Sequence, residues 1–478
     1  MIEYDFKNTE ISDIVNNIII YAASKGASDI HFDPFEEGIK VRLRIDGVLQ
    51  DHAIVPKAYQ RNLTTRIKLI SNMNITESRL PQDGAIKGNI NGIDLDMRVS
   101  ALATNLGEKI VIRILDYSQS ANGLDQLGFS EKNLEKIKKM ISVPNGIILV
   151  TGATGSGKST TTYTMLQTLN TQDVNIITVE DPIEMNIEGI NQVQVNSEIG
   201  LTFGRVLRSI LRQDPNIILI GEIRDTETAQ IAVRASITGH LVLSTIHTNN
   251  SLNTIERLLD MDVERYLLSS ALEGIVSQKL ARRLCPKCKK LRPANNYEKI
   301  TIKKALGVDV TELYDVGDTH CDECRNGYKG RIAIQEVLLI DDFLRDAIND
   351  VTIGRDELRK LVYTENVTTL LQDGLEKVLE GITSFNEIYK LIEIDDELDS
   401  HYDAELLTSE LHNQLEQAQM QAQTEQPVNN TQVTGTTPLQ NPQGIPQTPG
   451  AIPGIAQAPT KTEDDLSQTE ILDLGAIN

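Results

Sequence analysis

The run Gly152-Ala153-Thr154-Gly155-Ser156-Gly157-Lys158-Ser159 spaces three glycines ahead of a lysine and a hydroxyl. Glycines accept positive φ at little cost and carry no Cβ, so such a loop wraps a phosphate with its backbone N–H groups. Lys158 is expected on the β- and γ-phosphates and the Ser159 hydroxyl on Mg²⁺. Thr160 then opens a helix whose positive end faces the anion. The chemistry these residues suit is binding of ATP with Mg²⁺.

Hydrolysis needs more: a metal near the β/γ oxygens, an oriented water, and positive charge on the transition state. Three apolar runs farther along end in groups of that kind. Val174 to Val179 ends in Glu180-Asp181-Pro182-Ile183-Glu184, Ile217 to Ile220 in Gly221-Glu222-Ile223-Arg224-Asp225, and Leu241 to Ile246 in His247-Thr248-Asn249. Glu180 is assigned the water, with Glu184, the second glutamate of that segment, as the alternative general base. Glu222 is assigned Mg²⁺ or its water shell, although Gly221 stands where many P-loop enzymes place an aspartate. His247 is placed to sense the γ-phosphate through a ring N–H. Taken singly, each acid also fits an N-cap or a surface group at a strand end; recurrence after successive strands is what points to a site.

All four cysteines sit in two Cys-x-x-Cys pairs, Cys285/Cys288 and Cys321/Cys324. Two such knuckles supply four thiolates to a tetrahedral Zn²⁺, and with no position left open the metal is structural. Disulfides are the competing reading, disfavoured in a cytosolic chain.

The elements around these groups follow from periodicity. Ile11, Ile14, Val15, Ile18 and Ile19 share one helical face. From Ile30 the period becomes two: Ile39, Val41, Leu43 and Ile45 alternate with Lys40, Arg42, Arg44 and Asp46, and Asp46-Gly47 turns the chain. Ile93 to Val99 repeats the pattern after Asn91-Gly92, and Ile110 to Leu115 adds a strand bearing Arg113. Residues 1–117 thus read as an α+β domain, 118–124 as a hinge, and 125–280 as strands alternating with helices, hence a mostly parallel sheet. Chemistry in such sheets gathers at the carboxyl ends of the strands. The pattern from Leu252 to Leu284 reads as helical. The tetracysteine lobe spans 281–331, and 332–395 reads mostly as amphipathic helix. Residues 396–416 form an acidic helical boundary. Residues 417–478 are a Gln/Pro-rich tail of the composition that stays disordered, ending in an acidic, leucine-bearing peptide.

Composition bounds the partners. The chain has 478 residues, 40% of them hydrophobic, and a formal net charge of -22. Acidity and the absence of Trp argue against direct nucleic-acid binding. The acidic N-terminus does not suit a signal peptide, and no apolar run reaches the ~18 residues that span a bilayer. A cytoplasmic protein that meets the membrane only through a partner is expected.

In combination these motifs resemble the secretion ATPases of the type II secretion and type IV pilus assembly group (GspE/PilB-like), over roughly residues 1–395. Their Walker A resembles Gly152 to Ser159, their aspartate box Thr178 to Glu184, their atypical Walker B Leu211 to Asp225, and their histidine box Thr238 to Asn249. Asp29-Ile30-His31, Arg79 to Gly84, Arg98-Val99-Ser100 and Gly107-Glu108-Lys109 resemble the domain before the motor, with Ala85 where many relatives have arginine.

The resemblance implies a RecA-like P-loop ATPase domain preceded by a small PAS-like α+β domain, with an inserted zinc lobe, C-terminal helices and the tail. It implies a homohexamer in which the N-terminal domain lends arginines to a neighbour's nucleotide, with Arg98 and Arg113 as candidates. ATP, Mg²⁺ and Zn²⁺ are the implied cofactors. The partner is a membrane platform protein, and the place is the inner face of the cell membrane. Relatives use a leader domain for recruitment or a cyclic dinucleotide; the chain opens almost directly at Asp29-Ile30-His31, so neither is carried over. A retraction motor and a non-hydrolysing nucleotide scaffold are the alternative readings.

Overall fold

The computed structural model describes residues 1–90, 93–115, 123–318, 321, 324, 326–364 and 366–392. Most of the hinge assigned to 118–124, the acidic boundary 396–416 and the tail 417–478 lie outside these.

The N-terminal part begins with α1 (Ile11–Ser24), then β1 (Ala27–Phe35), β2 (Gly38–Ile45), β3 (Val48–Pro56), α2 (Gln60–Ile70), β4 (Gln82–Ile90), β5 (Ile93–Thr104) and β6 (Gly107–Leu115). The six strands pair antiparallel in the order β3-β2-β1-β6-β5-β4. Alternation sets the two faces: Ile30, Phe32, Val41, Leu43, Met97, Val99 and Ile112 are buried with α1 and α2. Arg42, Arg44, Arg98 and Arg113 fall on the other face.

The second sheet holds the phosphate loop. After α3 (Glu131–Ile141), whose Ser130 cap accepts the Asn133 N–H, come β7 (Gly146–Thr151), α4 (Lys158–Leu169), β8 (Ile176–Glu180), β9 (Asn191–Gln194), α5 (Phe203–Ile210), β10 (Ile217–Ile220), α6 (Thr226–Ile237), β11 (Leu241–Ile246), α7 (Ser251–Asp260), α8 (Arg265–Ala271) and β12 (Leu272–Leu284). A lobe of β13 (Lys290–Pro293), α9 (Asn296–Leu306) and β14 (Glu312–Asp315) follows, and then β15 (Tyr328–Leu339) and α10 to α13 (Asp342–Asn349, Arg355–Val362, Leu370–Leu379, Phe385–Leu391). The strand order is β15-β12-β7-β11-β10-β8-β9, parallel except for β15 against β12. All six residues of β7 are buried, at about 1.5–3 kcal/mol for each large apolar side chain removed from water.

Two stretches that read as helical are strands. Leu272, Ile275, Val276 and Leu280 fall at helical spacing, but a strand buried on both faces needs no alternation, and Leu272–Leu284 pairs with β7 on one side and β15 on the other. The part of β15 that read as helical, Ile332–Leu339, pairs with β12 at the sheet edge and is buried on both faces from Ala333 to Leu338. These rungs put residues 281–284 and 328–331 in the core sheet, so the inserted lobe is the chain between Cys285 and Gly327. β9 is a strand that the periodicity did not reveal.

Candidate nucleotide site and tetracysteine lobe

Strand β7 delivers the phosphate loop at mid-sheet, where Gly152, Gly155 and Gly157 take φ of +146°, +80° and +90°. A Cβ on Gly152 would lie 2.3 Å from the Gln278 carbonyl oxygen, and one on Gly157 would lie 2.6 Å from Gln278 Nε2. Gln278, on neighbouring β12, braces the loop. Its amide donates to the Ser156 carbonyl at 2.6 Å, and its Oε1 accepts from Thr161 at 2.8 Å. The buried Ser156 hydroxyl has no partner among the described residues. Ser159 and Thr160 are exposed at the mouth.

Lys158 turns back over its own loop, donating to the carbonyls of Gly152 at 2.7 Å and Ala153 at 3.0 Å. Burial lowers its pKa, and the Glu222 carboxylate opposes that shift. A phosphate entering the loop offers this ammonium charged oxygens in place of two carbonyls, so the cradle, the lysine and the unpaired hydroxyl fit a bound nucleotide.

Three strand ends surround the loop. Glu222, after β10, is largely buried; it is ion-paired with Arg224 and lies 3.5 Å from His247 Nε2, which follows β11. Burial, followed by the Lys158 charge, pushes the His247 pKa down. At Gly221, where many P-loop enzymes place an aspartate, a Cβ would stand 3.2 Å from Glu180 Cα and crowd the end of β8. Asp225 caps α6 by accepting the Thr228 N–H at 2.8 Å.

Glu180, at the end of β8, is only 3% exposed. Tyr163 donates to one carboxylate oxygen; Thr178 at 2.5 Å and Gln192 at 3.0 Å donate to the other. The same Tyr163 hydroxyl accepts the Glu184 N–H at 3.1 Å. The Glu184 side chain is 40% exposed, with its Oε2 3.6 Å from Arg98. Arg98 also donates to the Ile183 carbonyl at 2.5 Å, so it meets the aspartate box of its own chain. Arg113 pairs with Arg98 in register across β5 and β6 but is held by Asp29 at 3.0 Å. Tyr163, Gln192 and Gln278 were missed in the sequence: an uncharged side chain inside a buried pattern carries no signal of its own.

The lobe brings the four cysteines together, with all Sγ atoms within 4.8 Å of one another. Cys285 and Cys321 lie 3.7 Å apart, and Cys288 and Cys324 3.5 Å apart. A tetrahedron with metal–sulfur bonds of ~2.3 Å has edges of about 3.8 Å, so the set fits Zn²⁺.

The family model described as "Type II/IV secretion system protein" matches residues 5–390. The chain is 44% identical over 379 residues to type II secretion system protein E of Aeromonas hydrophila, covering 79% of this chain and 75% of that one. It is likewise 44% identical over 379 residues to type II secretion system ATPase E of Vibrio cholerae, covering 79% and 74%. Among solved structures, the pilus retraction motor PilT with bound ADP superposes with a TM-score of 0.56 at 25% identity, covering 80% of this chain and 98% of that one.

Proposed function

The chain belongs to the type II/IV secretion system protein family, and from that membership we propose that it is a Mg-dependent ATPase motor that drives assembly of a secretion pseudopilus or a type IV pilus. It works as a homohexamer, with ATP at the subunit boundaries, on a membrane platform protein at the inner face of the cell membrane. Among the described residues no helix is long and apolar enough to cross a membrane, which fits attachment through that partner. The observation that carries the reading is the convergence of Lys158, Glu222 and His247 on one rim, with Glu184 beside Tyr163 on the same side.

The residues divide the work. The loop N–H groups and Lys158 hold the phosphates, and Ser159 with Glu222 would hold Mg²⁺, which when bound neutralises the β/γ oxygens. Arg224 holds Glu222 in place through their ion pair. Glu184 rather than Glu180 orients the attacking water, because both Glu180 oxygens are spent on buried donors while Glu184 reaches solvent. His247, neutral at pH 7, offers a ring N–H to the γ-phosphate. A cavity of about 810 Å³ continues from Gly157 and Thr160 past Gln126, Leu280 and Arg283, with room for base and ribose. The four cysteines hold a structural zinc.

The test is ATP turnover per subunit across protein concentrations, with Lys158→Gln as the blank. A motor whose site is completed between subunits turns over faster as concentration rises. Turnover absent at every concentration, with ATP still bound, would leave the scaffold reading instead.

A further inference from the structure

The cavity beside Gly157 and Thr160 has walls from both parts of the molecule: Tyr21, Lys25 and Asp46 on the N-terminal side, Leu280 and Arg331 on the other. Asp46 crosses between them. It opens the β2–β3 turn with φ of +50°, followed by Gly47 at +82°, so both central residues are left-handed, as a tight hairpin of this twist demands. Arg44 donates to the Gly47 carbonyl at 2.9 Å and stiffens the turn.

Its partner is prepared for it. The β12–β15 register shifts between Arg282 and Leu284, which face Arg331 and Tyr328, so Arg283 opposes both Lys329 and Gly330. Such a bulge takes one residue out of the ladder and favours glycine in the left-handed region; Gly330 has φ of +75°. The Gly330 N–H points instead to Asp46 Oδ2, at 3.1 Å. The stem that carries it is firmly anchored: the Tyr328 hydroxyl lies 2.7 Å from Ser384 Oγ, and the Arg282 guanidinium sits 4.1 Å over the Tyr328 ring.

We propose that Asp46 is a positioning residue for the nucleotide, its carboxylate latching the N-terminal domain to the Gly330 bulge and so holding one wall of the cavity in place. This rests on the nucleotide reading of that cavity. Asp46 touches no phosphate; it fixes how closely the two walls approach, and so acts on affinity more than on the chemical step.

The turn permits a clean test, because Asp46→Gly keeps the left-handed conformation while removing the carboxylate, and Asp46→Asn keeps an acceptor oxygen. Each variant of the full chain is titrated with a fluorescent ATP analogue and assayed for turnover, and exchange of the Gly330 amide is followed by mass spectrometry. Loss of this partly exposed hydrogen bond is expected to weaken nucleotide binding about three- to tenfold in Asp46→Gly. KM should rise more than kcat falls, Gly330 exchange should accelerate, and Asp46→Asn should restore both. Wild-type affinity in Asp46→Gly, or a loss in Asp46→Asn equal to that in Asp46→Gly, overturns the latch. Failure of the unmodified protein to bind the analogue overturns the nucleotide reading itself, and the latch with it.

Discussion

The Tyr163 hydroxyl on α4 joins two carboxylate residues of one turn: it donates to the Glu180 side chain and accepts the Glu184 backbone N–H. Burial and the Glu180 charge push the Tyr163 pKa up, so the phenol stays protonated and keeps donating. Glu180 thus builds the turn, and Glu184 is what the turn presents. Glu184→Gln should abolish turnover while leaving ATP binding and unfolding near wild type. Tyr163→Phe should strand a buried acceptor and cost about 1–3 kcal/mol in urea unfolding, with a smaller loss of turnover. Full turnover in Glu184→Gln would return the water to Glu180.

The phosphate loop makes a graded prediction from two glycines. In Gly152→Ala the new Cβ falls 2.3 Å from the Gln278 carbonyl at φ +146°, whereas Gly155→Ala meets nothing within 4 Å and bears only the strain of φ +80°. The second costs about 1–2 kcal/mol; the first must also move β12 or the loop. Nucleotide titrations should show binding lost in Gly152→Ala and weakened in Gly155→Ala. Equal effects would mean that the Gln278 brace does not shape the loop.

What the sequence disclosed and what it hid divide on physical lines. The phosphate loop, the acids after β8 and β10, His247 and the cysteine pairs were legible because chemistry demands those residue types at those spacings. The β11 bounds, and the Asp46-Gly47 turn, followed from the apolar run and turn chemistry. Strands β12 and β15 were not legible, since burial on both faces erases the alternation that marks a strand. The roles of Glu180 and Glu184 were hidden for a related reason. Which of two acids four residues apart is satisfied depends on Tyr163, Thr178 and Gln192, and their convergence is tertiary.

His247 carries a pH signature. Its folded pKa lies below the ordinary 6.5, through burial and then Lys158. Between that lowered value and 6.5 the unfolded chain binds more protons than the folded one, so stability rises with pH across the window. It is present above about 6.5 and is lost as pH falls through the folded value. Urea unfolding at pH 5.5 and 7.5 should therefore show a smaller pH difference in His247→Gln than in the wild type. A wild-type difference retained in the variant would remove His247 from the account.

The tetracysteine lobe makes the last prediction, and its form follows from how the lobe is attached. Leu284 donates its N–H to the Ile382 carbonyl and Cys285 donates to Gly327, both at 2.8 Å, so the stem is hydrogen-bonded independently of the thiols. Beyond the stem, β13 and β14 form a two-stranded ribbon that is marginal by itself, and Tyr297, Ile302 and Leu313 seat one side of the lobe on α12 and α13, leaving the cysteine end to the thiols. Elemental analysis should find about one zinc per chain, the stoichiometry of a four-thiolate site. Cys321→Ser or a strong chelator should release it, exposing 286–326 to protease while the β12–β15 ladder and nucleotide binding survive. Wild-type protease resistance and unfolding in a metal-free protein would mean that packing on α12 and α13 holds the lobe without metal, and the thiols would then need another explanation.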